Sequence, residues 1–535
     1  MLLVFRRRFV QTAFGLWATA HAYAANPCGA CHRAEVAGYE KTAMAHSLSH
    51  KVQQPAGTFT HAASGSTFSV KSASGTTQIA LSRDGVSIVY PVEYVIGSGT
   101  RASGDIVRVG NYLFQSPISY YATRRQWDMA PGYESALEPD FTRPISAECL
   151  LCHAGRPRPV ANTLNRFEPL KAADEAISCD RCHGDTASHL RHPSRDNIVN
   201  PARLTARARD SVCEQCHLTG EARVLNPGKQ FVDFHPGQNL EDVFSVYVRD
   251  RSGESAGDGS IKVISHVEQL ALSKCALKSE HKLWCATCHN PHQKPTNPTR
   301  YFRERCLSCH GQAILQTHAK PVDDCVSCHM PKRKAKDGAH SVFTDHFIAR
   351  APAADAVNPS PEAPVDKLVA WHEPAGALAQ RNMGLANVDL GERQQSQALL
   401  ELGAQQLAAA MKLFPPDPAI LTKLGMVLLR MGEAADAMET LEYAVRLEPE
   451  RAGSHVNLAT AYKEAGLIEK AIAEVERAIE LDPSLDSAYK TLGEIYTQKN
   501  DTEGILRTLK RYLNFMPNNM SVLKKLRESE PLKGK

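Results

Sequence analysis

The chain has 535 residues, 43% hydrophobic and 22% charged. That length exceeds one ordinary domain and predicts two or three. A formal net charge of +4 gives no footing for a nucleic-acid partner, and the basic run "PKRKAK" (331–336) reads as a solvated face.

Residues 1–24 read as an export signal. Arg6, Arg7 and Arg8 form a positive n-region, an apolar stretch follows, and Ala22-Tyr23-Ala24 fits a cleavage site. The apolar stretch is short and interrupted by polar residues, so no retained transmembrane helix is expected, although membrane contact of another kind is left open. The expected location is periplasmic or otherwise extracytoplasmic. Removing the leader takes away three arginines and lowers the net charge from +4 to +1.

Seven Cys-x-x-Cys-His motifs follow, numbered here in chain order. They are Cys28/Cys31/His32, Cys149/Cys152/His153, Cys179/Cys182/His183, Cys213/Cys216/His217, Cys285/Cys288/His289, Cys306/Cys309/His310 and Cys325/Cys328/His329. They use fourteen of the fifteen cysteines. Two thiols at this spacing can each add to one vinyl group of a haem, and the histidine then reaches the iron. A thioredoxin-like pair needs no histidine. Zinc sites pair two Cys-x-x-Cys units, and seven is odd. A disulfide framework would not place a histidine after every second cysteine. The motifs therefore predict seven covalently attached c-type haems. Cys275 is left over and reads as a thiol packed near a haem.

The far side of each iron needs a ligand or stays open. Of 22 histidines, twelve non-motif ones lie in the haem region, enough for a second histidine at every iron. The candidate distal ligands are His189, His266, His292, His318, His340 and His346, with Met44, His46 and His50 on offer near the first motif. His192 and His235 are weaker, and His61 and His281 read as bystanders. His292 follows His289 by three residues, a reach of at most about 11 Å. It cannot pass around a porphyrin edge to the same iron, so as a ligand it must serve another haem.

A first haem segment (25–56) precedes a β-rich insertion (57–148). There "STFSV" alternates, Asp84-Gly85 marks a hairpin, and Gly110-Asn111 separates two further strands. The six remaining motifs lie in 149–349, too closely spaced to build a core of their own. Short helices, long loops and haem-supplied apolar surface are expected there. A Pro/Ala-rich linker (350–366) leads to a helical region (367–535). In it Pro415, Pro449, Pro483 and Pro517 recur every 34 residues, the tetratricopeptide period. The expected fold is thus a loop-rich α multihaem cytochrome with a small β insertion, followed by an α-helical solenoid.

The segments "CGACH…YEKTAMAHS" (28–47), "EYVIGSG" (93–99), "WDMAPGY" (127–133), "CDRCHGDTASH" (179–189), "SKCALKSEHKLWCATCHNPH" (273–292) and "CVSCHMPK" (325–332) resemble the cytochrome superfamily that includes the tetrahaem acceptor of hydroxylamine oxidoreductase. The likeness reaches to about residue 350 and implies haem ligation and electron transfer. The expected function is an electron relay between redox protein partners, with the repeats docking a partner or organising an assembly. The alternative is a multihaem oxidoreductase acting on a small nitrogen or sulfur compound at a haem with an open sixth site.

Overall fold

The computed structural model describes residues 26–50, 53–73, 75–171, 174–250, 261–280, 282–318, 323–350 and 365–529. The export signal, His281 and most of the linker lie outside the described residues.

A nine-stranded antiparallel sheet dominates the N-terminal part. Its strands are β1 (Leu48–His50), β2 (Gly57–His61), β3 (Ser66–Ala73), β4 (Thr76–Arg83), β5 (Val86–Ile96), β6 (Ala102–Val109), β7 (Tyr112–Tyr121), β8 (Gln126–Met129) and β9 (Arg143–Pro144). Strands β2 to β8 pair in sequence order, β1 adds to β5 and β9 to β7. Period-2 alternation places Phe68, Val70, Ile79 and Leu81 inside, each at most 2% exposed. Asp84 (φ 52°) and Gly85 (φ 73°) turn β4 into β5, the paired left-handed conformation of a two-residue hairpin. Register shifts at Val92/Tyr94 and Gly104/Ile106 add twist and curl the sheet. Trp127 of β8 consequently reaches the start of β2. Its indole N–H donates to the Pro55 carbonyl at 2.8 Å, and a Cβ on Gly57 would come within 2.6 Å of the ring. The sheet almost closes into a barrel.

This overturns the expectation of a loop-rich α domain with a small β insertion. Read one hairpin at a time, the strands are short and local. Their shared inner face, and the approach of β8 to β2, arise only when successive hairpins pair into one curled sheet. Nor is the motif region merely short helices in loops.

Helices there are α1 (Arg33–Tyr39), α2 (Ala147–His153), α3 (Asp180–His183), α4 (Thr186–Arg191), α5 (Ala206–His217), α6 (His266–Leu272), α7 (Lys274–Leu277), α8 (Cys285–Cys288), α9 (Pro298–His310), α10 (Ile314–Thr317) and α11 (Cys325–His329). Of these, α5 has 12 residues and α9 has 13. Strands β10 (Ala222–Leu225) and β11 (Phe244–Arg249) pair, and β12 (Lys332–Lys334) and β13 (Val342–Thr344) form a separate hairpin.

Beyond the linker, β14 (Leu368–Ala370) pairs with β11. Then come α12 (Ala377–Gln394), α13 (Gln397–Ala410), α14 (Pro418–Met431), α15 (Ala434–Leu447), α16 (Ala452–Glu464), α17 (Ile468–Leu481), α18 (Asp486–Gln498), α19 (Thr502–Phe515) and α20 (Met520–Ser529). Local signals define them. Asp417 accepts from Ala419 N at 2.9 Å and Pro418 opens α14, an N-terminal cap. Gly432, Gly466 and Asn500, 34 residues apart, all turn with positive φ, as a helix exit requires. Ala437 and Ala471 are fully buried where helices meet. The 34-residue helix-pair expectation holds.

Both ends of this solenoid pack on the rest of the chain. At one end buried Arg381 pairs with Asp417 at 2.5 Å and donates to the Leu225 carbonyl at 2.8 Å. Beside it Asn382 donates to Asn226 and Ser245. At the other end Tyr112 meets Phe515 edge-on at 5.3 Å, Met520 N donates to Asp140 at 2.7 Å and Lys524 pairs with Asp84. The repeats therefore brace the sheet and the motif region as well as presenting their own surface.

Candidate haem-binding array

Helix geometry explains the motif spacing. Residues three apart lie on one helix face, one turn apart. In motifs 2, 3, 4, 6 and 7 the histidine is the last residue of α2, α3, α5, α9 and α11, and in motif 5 it caps α8. Motif 1 straddles a 3-10 turn and the start of α1. Each motif thus presents two thiols on one face with an imidazole beside them. All fifteen cysteines are free thiols.

The fit to haem can be tested on the histidines. An imidazole nitrogen binds a first-row metal at about 2 Å and lies about 1 Å from its ring centre, so two imidazoles on one iron have centres about 6 Å apart. Four motif histidines face a second imidazole near that separation. The rings of His183 and His292 have centres 5.8 Å apart and planes 15° from parallel, and those of His289 and His346 centres 6.1 Å apart and planes 29° from parallel. His329 meets His318 at 6.1 Å, and His217 meets His266 at 5.6 Å. His292 thus lies opposite the histidine of motif 3, not that of its own motif 5.

Hydrogen bonds prepare the rings for ligation. The Nδ1 atoms of His183, His329, His346 and His153 lie 2.6–3.1 Å from the carbonyls of Val199, Ala349, Thr344 and Ser47. A proton held at Nδ1 leaves the Nε2 lone pair for a metal. Burial lowers the pKa of His153, His217, His289, His292 and His346, so they are neutral, the ligating form. His266 is pushed down to about 3 by burial and then by His346, His217 and His289. Its Nδ1 is buried without a hydrogen-bond partner, an atom that a bound group would relieve. The residues fit the group.

Other candidates lie elsewhere. His340 meets Tyr121 edge-on and its Nε2 lies 2.8 Å from Asp128, which ties it to the sheet. His189 has Nδ1 2.9 Å from Asn197 Oδ1, which leaves its Nε2 available, but among the described residues it faces no motif histidine at the separation above. His46 spends Nε2 on the Glu40 carbonyl at 2.8 Å, and the carbonyl of Met44 accepts from Ser47. Among the described residues no imidazole is paired as above with His32, His153 or His310. His61 bonds Ser64 and the Glu134 carbonyl, a structural role. Among the described residues no three His, Cys, Asp or Glu side chains converge on one metal position; two imidazoles per iron require no such cage.

The motifs touch one another. The thiols of Cys28 and Cys179, Cys152 and Cys216, Cys213 and Cys285, and Cys306 and Cys325 are close neighbours. Cys288 lies near Cys309 and Cys275. Motif 4 thereby adjoins motifs 2 and 5, motif 3 adjoins motif 1, and motifs 5, 6 and 7 run on in series. Buried residues between the cysteines lock this order. Arg181 of motif 3 donates to Gln215 of motif 4 at 2.6 Å and to the Leu151 carbonyl of motif 2 at 3.2 Å, and Gln215 returns a bond to the Arg181 carbonyl at 3.0 Å. Arg181 and Gln215 are not among the residues that motif spacing singles out. Their signal was a long polar pair at motif positions that other motifs fill with small or apolar residues. Val199, Ala349 and Thr344 were invisible because they act through backbone carbonyls.

A tetratricopeptide repeat family model matches residues 428–496. Similar solved structures include residues 41 to the end of MamA from Desulfovibrio magneticus RS-1, 22% identical, covering 29% of this chain and 77% of that one at a TM-score of 0.23. YrrB, described as a TPR protein with an unusual peptide-binding site, is 18% identical and covers 28% and 75% at a TM-score of 0.25. The first TPR of Spaghetti (RPAP3), bound to an HSP90 peptide, is 21% identical and covers 21% and 89% at a TM-score of 0.19. No curated protein matches the chain. Among the described residues no helix is long and apolar enough to cross a membrane. The C-terminal region carries tetratricopeptide repeats, a module of protein docking and assembly.

Proposed function

We propose that the chain is an exported heptahaem c-type cytochrome, in the superfamily of the tetrahaem acceptor of hydroxylamine oxidoreductase, that relays electrons between redox protein partners. The observation that carries this reading is the set of opposed imidazoles, above all His183 with His292, whose ring centres lie near the separation expected of two ligands to one iron. Bound haem supplies a one-electron iron couple at each motif. The protein contributes the rest. Carbonyls of Val199, Ala349 and Thr344 hold the imidazoles in one tautomer. Arg181 and Gln215 keep motifs 2, 3 and 4 in contact. The contiguous order of all seven motifs supports a relay over separate sites. The repeats brace the array and offer the surface on which a partner or assembly forms.

Haem stoichiometry of the exported protein tests the proposal. Seven haems per chain by pyridine haemochrome are expected, with a mainly low-spin electron paramagnetic resonance spectrum. No covalent haem would overturn it, and a dominant high-spin signal that shifts with cyanide would move the reading to an oxidoreductase. His292→Ala should convert one haem to high spin, the one attached at Cys179 and Cys182. An unchanged low-spin spectrum would remove His292 from the ligands.

A further inference from the structure

The excess positive charge of the polypeptide is confined to one region, a contrast that the propionates of bound haems, three haems here and four elsewhere, would shift downward on both sides but not erase. Residues 274–350 hold thirteen Lys and Arg against six Asp and Glu, a net of +7. The remaining residues hold 49 against 52, a net of −3. This region contains motifs 6 and 7, where Cys309, His310 and Cys328 are exposed, whereas the cysteines of motifs 2 to 5 are all half-buried. The array also surfaces at motif 1, where Cys31 is exposed, but residues 26–50 there carry two basic and two acidic side chains.

The basic side chains surround the exposed motifs. Lys274 and Lys278 belong to α7 and the turn after it, which also carries Cys275, a neighbour of Cys309 in motif 6. Motif 7 lies against motif 6 through Cys325 and Cys306 and runs directly into β12. Strand alternation there turns Arg333 inward onto Asp345 at 2.8 Å and leaves Lys332 and Lys334 together on the exposed side. Among the described residues none of these four lysines has an acidic partner. Leu277, 68% exposed, lies between the α7 lysines. An apolar contact inside a charged rim is the composition of a transient protein interface. Acids in this region pair with other cations, Glu280 with Lys282 and Glu304 with Arg300, and leave the four lysines free among the described residues, whereas lysines of the repeats are matched in surface ion pairs such as Lys463–Glu494 and Lys499–Glu469.

We infer that this face, built on α7, motifs 6 and 7 and β12, docks an acidic redox protein at one end of the array; the inference rests on the haem-relay reading. Four unpaired lysines steer such a partner and set its orientation. Motif 1, near neutral, serves the other end.

The test measures association of the holoprotein with an acidic flavodoxin by biolayer interferometry. Binding should weaken as ionic strength rises from about 0.01 M to about 0.15 M, which cuts the screening length from about 30 Å to about 8 Å. The variant K274E/K278E/K332E/K334E should lose at least about tenfold in association rate while keeping seven haems. Association equal to that of the unaltered protein overturns the docking face. So does a loss confined to phosphatidylglycerol vesicles, which makes the surface a membrane contact. A change of haem potential with flavodoxin association intact also overturns it, making the lysines haem counter-ions. A chain without covalent haem defeats the relay reading instead, before docking is measured.

Discussion

The nearly closed sheet and the motif region solve the same burial problem by different means. The sheet fills its interior with Phe68, Ile79, Leu81, Ile118 and Phe141, all fully buried. In the motif region the apolar clusters gather around α2, β10 and β11, while α9 and α11 contain no buried residue. One unit carries its own core. The other brings together thiols and imidazoles, which make a poor core without a group to hold. Folding of the first depends on side-chain packing; under the proposed haem-relay reading, folding of the second depends on the cofactor.

The largest test of this contrast is to withhold haem attachment. The apo chain should be cut rapidly by trypsin within 149–349 while the sheet and the repeats resist, with strand and repeat-helix circular dichroism retained. Uniform protection would erase the contrast. Next in size, Phe68→Ala should cost about 3–5 kcal/mol of sheet stability in denaturant unfolding and leave haem content unchanged. A loss of haems in that variant would show that the two units fold as one.

Asp105 gives a pH handle on the sheet alone. It is fully buried, accepts from Gln54 at 3.0 Å, and burial pushes it from 3.8 up to about 7. Between those values the folded chain keeps a proton that the unfolded chain has released. Stability from this group is therefore complete below the unfolded value and falls as pH rises toward 7, by about 1.4 kcal/mol per unit. Asp105→Asn should flatten that fall in thermal melts from pH 4 to pH 8. The smallest expected effect is that of His340→Ala, which removes a half-buried hydrogen bond to Asp128 worth about 1 kcal/mol. It should leave the low-spin haem spectrum intact, because His340 belongs to the sheet; a spectral change would return it to the ligands.

Much of this architecture was legible in the residues. The thiol–imidazole units, the Asp84-Gly85 turn and the 34-residue repeat all depend on contacts within a few residues or one helical hairpin. Spacing and backbone conformation decide those, and both are written locally. Chain length even excluded His292 from its own motif. It could not say which histidine His292 meets, because His183 is 109 residues away and only tertiary packing brings the rings together. The same holds for His217 with His266 and His289 with His346. Near-closure of the sheet was equally hidden, since it depends on accumulated twist and on Trp127 reaching Pro55, not on any one hairpin. The residue types thus determined what each segment can hold; the tertiary structure decided which segments hold it together, because burial and imidazole pairing join positions that no local spacing relates.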